Sequence, residues 1–322
     1  MQTNESSKHE APQTADVPFA ANDVRLSPRG WLLAASLTAV AFWLVPLIWR
    51  AIEPLDIGPD YRIPYALGYD YWHYERTCRE VCASDRTLLF GDSVIWGEYV
   101  DSDATLSHQL NELSGGDHFA NLSIDGIHPV AMAGLLEHYG KSIRGKRVVV
   151  NCNLLWMSSA RQDLSAEKEF AIQHAALAPQ FRPWIPCYRA PTSERLAVVV
   201  GRNVRYLSWA DHVRIAYFAS EDLPAWTIEH PYENPANELT LVLPSPDERP
   251  EPLPDRRPWT EKGIRKITPD WVKLDASLQW QFFQRTVRLL SERGNQVFVL
   301  IGPLNEHMLT EEGRQGYAKR TR

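Results

Sequence analysis

Cysteine is scarce in this chain: 322 residues hold only Cys78, Cys82, Cys152 and Cys187. No further ligand pattern at zinc spacing accompanies the Cys78/Cys82 pair, so a structural zinc site is not expected there. On a helix the two thiols share a face. In a loop they close a small disulfide, the expected state if this region lies outside the cytoplasm. Cys152 sits in an apolar run and reads as buried packing. Charge of one sign is lacking too. Lys and Arg number 34 against 40 Asp and Glu, a net charge of −6, and no basic face for nucleic acid is implied. No close His/Asp/Glu cluster has ligand spacing, so neither a metal nor another cofactor is expected. What is present is a globular composition, 44% hydrophobic and 23% charged, enough for one large core plus an insertion. Twelve tryptophans suit a membrane-proximal or carbohydrate-facing protein, though large cores also use them.

Residues 1–30 are polar and aperiodic and read as a disordered tail. Trp31 to Trp49 then gives nineteen residues without a charge, long enough to span a bilayer. Tryptophans at both ends suit the interfacial belt. A cleaved signal peptide fits less well, because the tail is long and no small-x-small site follows Trp49; a buried core helix is the other alternative. Lys8, Arg25 and Arg29 precede the span, whereas Glu53, Asp56 and Asp60 follow Arg50. The Lys/Arg excess places the N-terminus in the cytoplasm and residues beyond 50 outside it. The expected divisions are a tail over 1–30, a transmembrane helix over 31–49, a juxtamembrane lead-in over 50–84 and an α/β domain over 85–322.

Within that domain, Thr87–Phe90 reads as a strand that stops at Gly91-Asp92-Ser93. Thr105–Leu113 fits a helix. Phe119–Ile124 is a second strand, Val130–Tyr139 a helix, and Val148–Leu155 a third strand. Near-continuous apolar runs of this kind mark strands covered on both faces, as in parallel sheets. Residues 160–268 break the alternation. They carry a helix over Ser193–Phe218 and a segment, Leu243–Trp259, whose six prolines exclude regular structure. This stretch reads as an insertion, either a solvated connector or a lid over substrate. Trp271–Arg293 is a long amphipathic helix, Gln296–Ile301 a fourth strand, and Thr310-Glu311-Glu312 opens a last helix.

A serine at the end of a buried strand, turning into a helix, is well placed to be a nucleophile; it is also a natural helix cap. The order of blocks resembles the SGNH (GDSL-type) hydrolase family. Gly91-Asp92-Ser93 is similar to the first block, Asn121-Leu122-Ser123-Ile124-Asp125-Gly126 to the second, and Asn151-Cys152-Asn153 to the third. The resemblance covers residues 85–158, and 270–310 by pattern only. It implies a three-layer, flavodoxin-like parallel sheet, Ser93 as nucleophile, and Gly126 and Asn153 as oxyanion donors, with Asn153 preferred to Asn151.

The family's last block, Asp-x-x-His after a fifth strand, has no counterpart beyond Glu306, and the domain is expected to be C-terminally incomplete. Two histidines stand as substitutes for the base. His128, in Asp125-Gly126-Ile127-His128, has the spacing but follows the second strand; His307 follows the fourth. Asp70-Tyr71-Trp72-His73 has the spacing as well but precedes the first strand. One span followed by such a domain resembles envelope proteins that move acyl groups on polysaccharides, such as those of alginate acetylation and D-alanyl-teichoic-acid transfer. The expected activity is an esterase or O-acyltransferase acting on acylated carbohydrate or a small acyl ester, with a membrane acyl-transfer partner. A non-catalytic glycan-binding or scaffold domain is the competing expectation.

Overall fold

The computed structural model describes residues 26–247, 257–258, 261–302 and 304–322. Most of the expected tail, and most of the proline-rich segment, lie outside the described residues. The chain divides into two units, 1–44 and 45–322. Helix α1 (Pro28–Ile52) is 25 residues long. At about 1.5 Å per residue it is ~37 Å long, more than the ~30 Å of a bilayer's hydrocarbon core. It is apolar enough to cross a membrane and almost none of it is buried in protein, which excludes a core helix.

In the second unit, helix α2 (Tyr71–Val81) precedes strand β1 (Thr87–Phe90), the single-turn α3 (Ser93–Trp96) and α4 (Leu106–Ser114). Strand β2 (Phe119–Asn121), α5 (Pro129–His138) and β3 (Arg147–Cys152) follow. Helices α6 (Thr192–Asn203), α7 (Arg205–Tyr217) and α8 (Leu223–Glu229) occupy the interruption, and α9 (Leu278–Glu292), β4 (Gln296–Ile301) and α10 (Glu311–Arg320) resume the alternation. The four strands form one parallel sheet, ordered β2-β1-β3-β4. The fold is α/β.

The register explains the core. Leu88 pairs with Val148 and Phe90 with Val150, so these side chains share one face of the sheet. All four are buried there with Ala131 and Leu135 of α5 and Phe283 and Leu290 of α9. Helix starts follow their caps. The Asp70 carboxylate accepts the His73 N–H and opens α2, and Thr105 does the same for α4. The β4 edge is less covered: Phe298, Val299 and Ile301 are all exposed.

Three expectations are corrected. The helix expected over Ser193–Phe218 is two helices, because Val204 is extended (φ −103°, ψ 105°) between them. The long helix expected from Trp271 starts at Leu278. There Asp163 accepts the Leu278 and Gln279 N–H groups and the Ser277 hydroxyl, and Ser277 accepts the Trp280 N–H, so the first turn is satisfied from that point. The first part of the 160–268 stretch, residues 164–188, is packed into the domain and is not a solvated connector. Leu164, Ile185 and Cys187 are buried in one cluster with Val130 of α5 and Phe282 of α9.

All four cysteines are free thiols. Cys78 is inside α2 and Cys82 caps its end, so the helical alternative holds for the pair and the disulfide does not.

Candidate functional site

The turn after β1 is fixed by close packing. A Cβ on Gly91 would stand 2.6 Å from Ile95 Cγ1 and 2.7 Å from Asn151 Cβ, so only glycine fits. Asp92 then caps α3, its Oδ1 accepting the Val94 N–H at 3.1 Å. This makes Ser93 the first residue of the helix, at the carboxyl end of β1. The far end of α3 is held as well. Asn121, at the end of β2, donates its amide to Ile95 O at 2.9 Å. The buried Arg62 lies over the Trp96 ring and donates to Gly97 O (2.6 Å) and Val100 O (2.9 Å). A short helix with two satisfied ends keeps Ser93 in place.

Ser93 lines a cleft of about 620 Å³ with Asp92, His128, Asn153, Trp156 and Gln173. Among the described residues its hydroxyl has no hydrogen-bond partner. Asn153 follows β3. Its carbonyl accepts the Leu155 N–H, which sets the amide's direction, and its NH₂ donates to Asp92 Oδ2 at 2.7 Å. The Trp156 indole donates to the same oxygen at 2.9 Å. Burial raises the Asp92 pKa, and those two hydrogen bonds oppose the shift. Asn151 points elsewhere: buried in β3, it donates to Gly302 O at 2.8 Å, tying β3 to the turn after β4.

Gly126 is not among the residues lining this cleft. It lies on the β2–α5 loop at φ +68°, and a Cβ there would meet Gln173 Oε1 at 2.7 Å. The Gln173 side chain thus covers it.

His128 lines the cleft, but both its nitrogens are engaged. Nδ1 accepts the Ala131 N–H and caps α5, and Nε2–H donates to the Gln173 carbonyl at 3.0 Å. Burial lowers its pKa to about 4. It is a neutral, structural imidazole. His307 is exposed on a 3-10 turn (Glu306–Met308) and does not line the cleft, although its neighbour Met308 does. Among the described residues no three His, Cys, Asp or Glu side chains group closely enough to hold a metal.

A second polar cluster lies inside the domain, and sequence spacing gave no sign of it. Glu53, one residue past α1, accepts from His212 Nε2 (2.8 Å), the Tyr217 hydroxyl (2.5 Å) and the Trp49 indole (2.9 Å), and pairs with Arg76. His212 Nδ1 donates to Asp70 Oδ2 at 2.5 Å. Glu53, Asp70, Arg76 and His212 are all buried. Burial alone would lower the His212 pKa. The Asp70 and Glu53 carboxylates outweigh it and raise the value to about 9. Burial would raise Glu53, but His212, Tyr217 and Arg76 bring it down to about 2. The nearby His73 is buried beside Tyr61, and its pKa falls to about 4 because of that burial.

Comparison with protein-family models, with curated proteins and with solved structures gives no match.

Proposed function

We propose that this is a membrane-anchored SGNH-type serine esterase or O-acyltransferase acting on acyl esters, with cell-envelope polysaccharide as its substrate class. One observation carries the reading. Ser93, at the strand-to-helix turn, and Asn153, its amide oriented by Asp92, line the same cleft. The strand order β2-β1-β3-β4 suits a flavodoxin-like sheet of this kind. In this reading Ser93 attacks the ester carbonyl and an acyl-serine forms. Water or a sugar hydroxyl then takes the acyl group. The second N–H of the Asn153 amide and the Ser93 backbone N–H stabilise the oxyanion. The Gly126 N–H joins them only when the Gln173 side chain moves aside. With both nitrogens of His128 engaged, the Ser93 proton passes in this reading to water in the cleft, and the ester's alcohol leaves, protonated by water, as the acyl-serine forms.

Helix α1 anchors the protein in the bilayer. Lys8, Arg25 and Arg29 favour a cytoplasmic N-terminus and an extracytoplasmic domain, where a membrane acyl-transfer partner can deliver the acyl group. The test is release of acetate or p-nitrophenol from acyl esters by the full-length protein in detergent. Turnover lost in Ser93→Ala supports the proposal, and equal turnover by that variant overturns it. The engaged state of His128 favours one second reading, a non-catalytic domain of the same type that binds glycans within an envelope complex.

A further inference from the structure

The chain as a whole is acidic, but residues 181–207 are basic. They hold five arginines, no lysine, no aspartate and one glutamate. Two of the arginines are structural. Arg195 is buried and donates to the Gln180 and Tyr188 carbonyls, and Arg202 donates to the Ala176 and Ala178 carbonyls. The other three, Arg182, Arg189 and Arg205, are exposed, and Glu194 is the one acid among them. The same stretch is apolar on its outside. Leu196 (51% exposed) and Val200 (47% exposed) lie one turn apart on α6 and share a face of it. Phe181 lines a depression with Val199 of that helix. The Trp184 ring is exposed and packs against the Arg189 and Arg195 guanidinium groups. Leu207, in the first turn of α7, is exposed as well.

What covers this face follows from its place beside the end of the span. Residues from Val45 onward belong to the same compact unit as α6 and α7. The Trp49 ring meets Trp209 of α7 edge-on, with centroids 5.7 Å apart, and Tyr217 at 5.9 Å. Arg50 is close enough to Arg205 for their charges to interact. Pro46, one turn earlier, is already buried. Trp49 and Arg50 are the residue types that mark where a span leaves hydrocarbon, so the start of α7 lies at headgroup level. A helix with leucine, tryptophan and phenylalanine on one side and arginines around them settles ~5–10 Å into the headgroup/acyl boundary. Exposed arginines add attraction to an anionic leaflet.

We infer that the face of residues 181–207 centred on Leu196 and Val200 rests on the bilayer surface, its apolar side chains in the headgroup/acyl boundary and Arg182, Arg189 and Arg205 among the phosphates of anionic lipid. The inference rests on the reading of α1 as the anchor and takes nothing from the esterase reading. Held by the span and by this face, the domain keeps the Ser93 cleft at a fixed height above the lipid.

The experiment uses full-length protein in nanodiscs of phosphatidylcholine and phosphatidylglycerol and reads one spin label at a time. Cys82, the one cysteine that is not buried, is first removed by Cys82→Ser. Labels are then carried by Leu196→Cys, Val200→Cys, Leu37→Cys in the span, and Leu113→Cys, at a residue of α4 that is 86% exposed. Oxygen concentrates in lipid and a nickel chelate stays in water, so the ratio of their collisions with the label reads lipid contact. Labels at Leu196 and Val200 should give ratios several-fold above that at Leu113 and approach that at Leu37. Arg189→Glu with Arg205→Glu should lower the ratio at Val200 several-fold. Ratios at Leu196 and Val200 equal to that at Leu113 would overturn the surface. Shielding of both labels from both reagents would overturn it too, because a protein partner or a second copy would then cover the face. An unchanged ratio in the charge-reversed protein would overturn the part given to the arginines. A water-exposed label at Leu37, with lipid-exposed labels at Leu196 and Val200, would overturn the span and leave the surface standing.

Discussion

Two buried histidines, His128 and His212, share a degree of burial and differ in everything else. His128 faces a backbone carbonyl and a backbone N–H and is neutral. His212 faces two carboxylates and is charged. The comparison extends to their surroundings. The Ser93 cleft is open and holds a serine with no ionised partner. The Glu53–Asp70–Arg76–His212 cluster holds two carboxylates, a guanidinium and an imidazolium, yet is closed to solvent. Desolvation is the largest influence on His128, whereas paired charge overrides it at His212. The lesson is that a histidine's sequence motif does not announce its role. His128 sits in an Asp-x-x-His spacing and serves as a helix cap. His212 sits in no motif and is held in its charged form by two carboxylates.

The largest effect is expected where the buried charges are unbalanced. Glu53→Gln leaves Arg76 and His212 without their shared carboxylate. A loss of about 3–5 kcal/mol is expected for breaking one side of such a buried pair, read as a lowered Tm in detergent. An unchanged Tm would show that the cluster contributes nothing to stability. Next comes Asn153→Ala, which removes a proposed oxyanion donor. A fall in kcat on the order of 100-fold is expected, with the fold intact by circular dichroism.

The two histidine environments also predict opposite limbs of a stability–pH curve. The folded state holds the His212 proton up to about pH 9, against an ordinary value of 6.5. Its contribution is complete below pH 6.5 and is lost as pH rises through 9. For His128 and His73 the folded value is depressed to about 4. Their contribution is present above pH 6.5 and is lost as pH falls toward 4. Tm measured from pH 4 to 9.5 should fall on both sides, and His212→Asn should flatten the alkaline side only. An alkaline limb unchanged in that variant would contradict the assignment.

The smallest effect is expected at His128→Asn. Asparagine caps a helix well, so Tm should shift little. The loss of kcat should stay well short of the roughly 10²–10⁴-fold that follows removal of a general base. A loss of that size, with a changed pH profile, would restore His128 as the base.

Much of this was legible in the sequence where the cause is local. β4 covers the expected Gln296–Ile301 and ends with its apolar run, and β1 stops at the glycine that Ile95 and Asn151 leave no room to replace. Ser93 is marked by its position at a strand end and Asn153 by the resemblance of its block, and both line one cleft. The β2 run shortened to Phe119–Asn121 because Leu122 leaves the ladder after donating to Leu89 O. What stayed hidden depends on distant partners. Glu53 and His212 are 159 residues apart, and Asp70 and His212 are 142 apart. Tyr69 and His174 meet only because the 160–268 stretch folds back over the β2–α5 loop. No periodicity records such contacts.

The central claim is that Ser93 is a nucleophile, and covalent labelling tests it most directly. Full-length protein in detergent, treated with a fluorophosphonate and analysed by peptide mass, should carry one label, on Ser93, and none in Ser93→Ala. A folded wild-type protein that takes no label, or takes it equally without Ser93, would contradict the account.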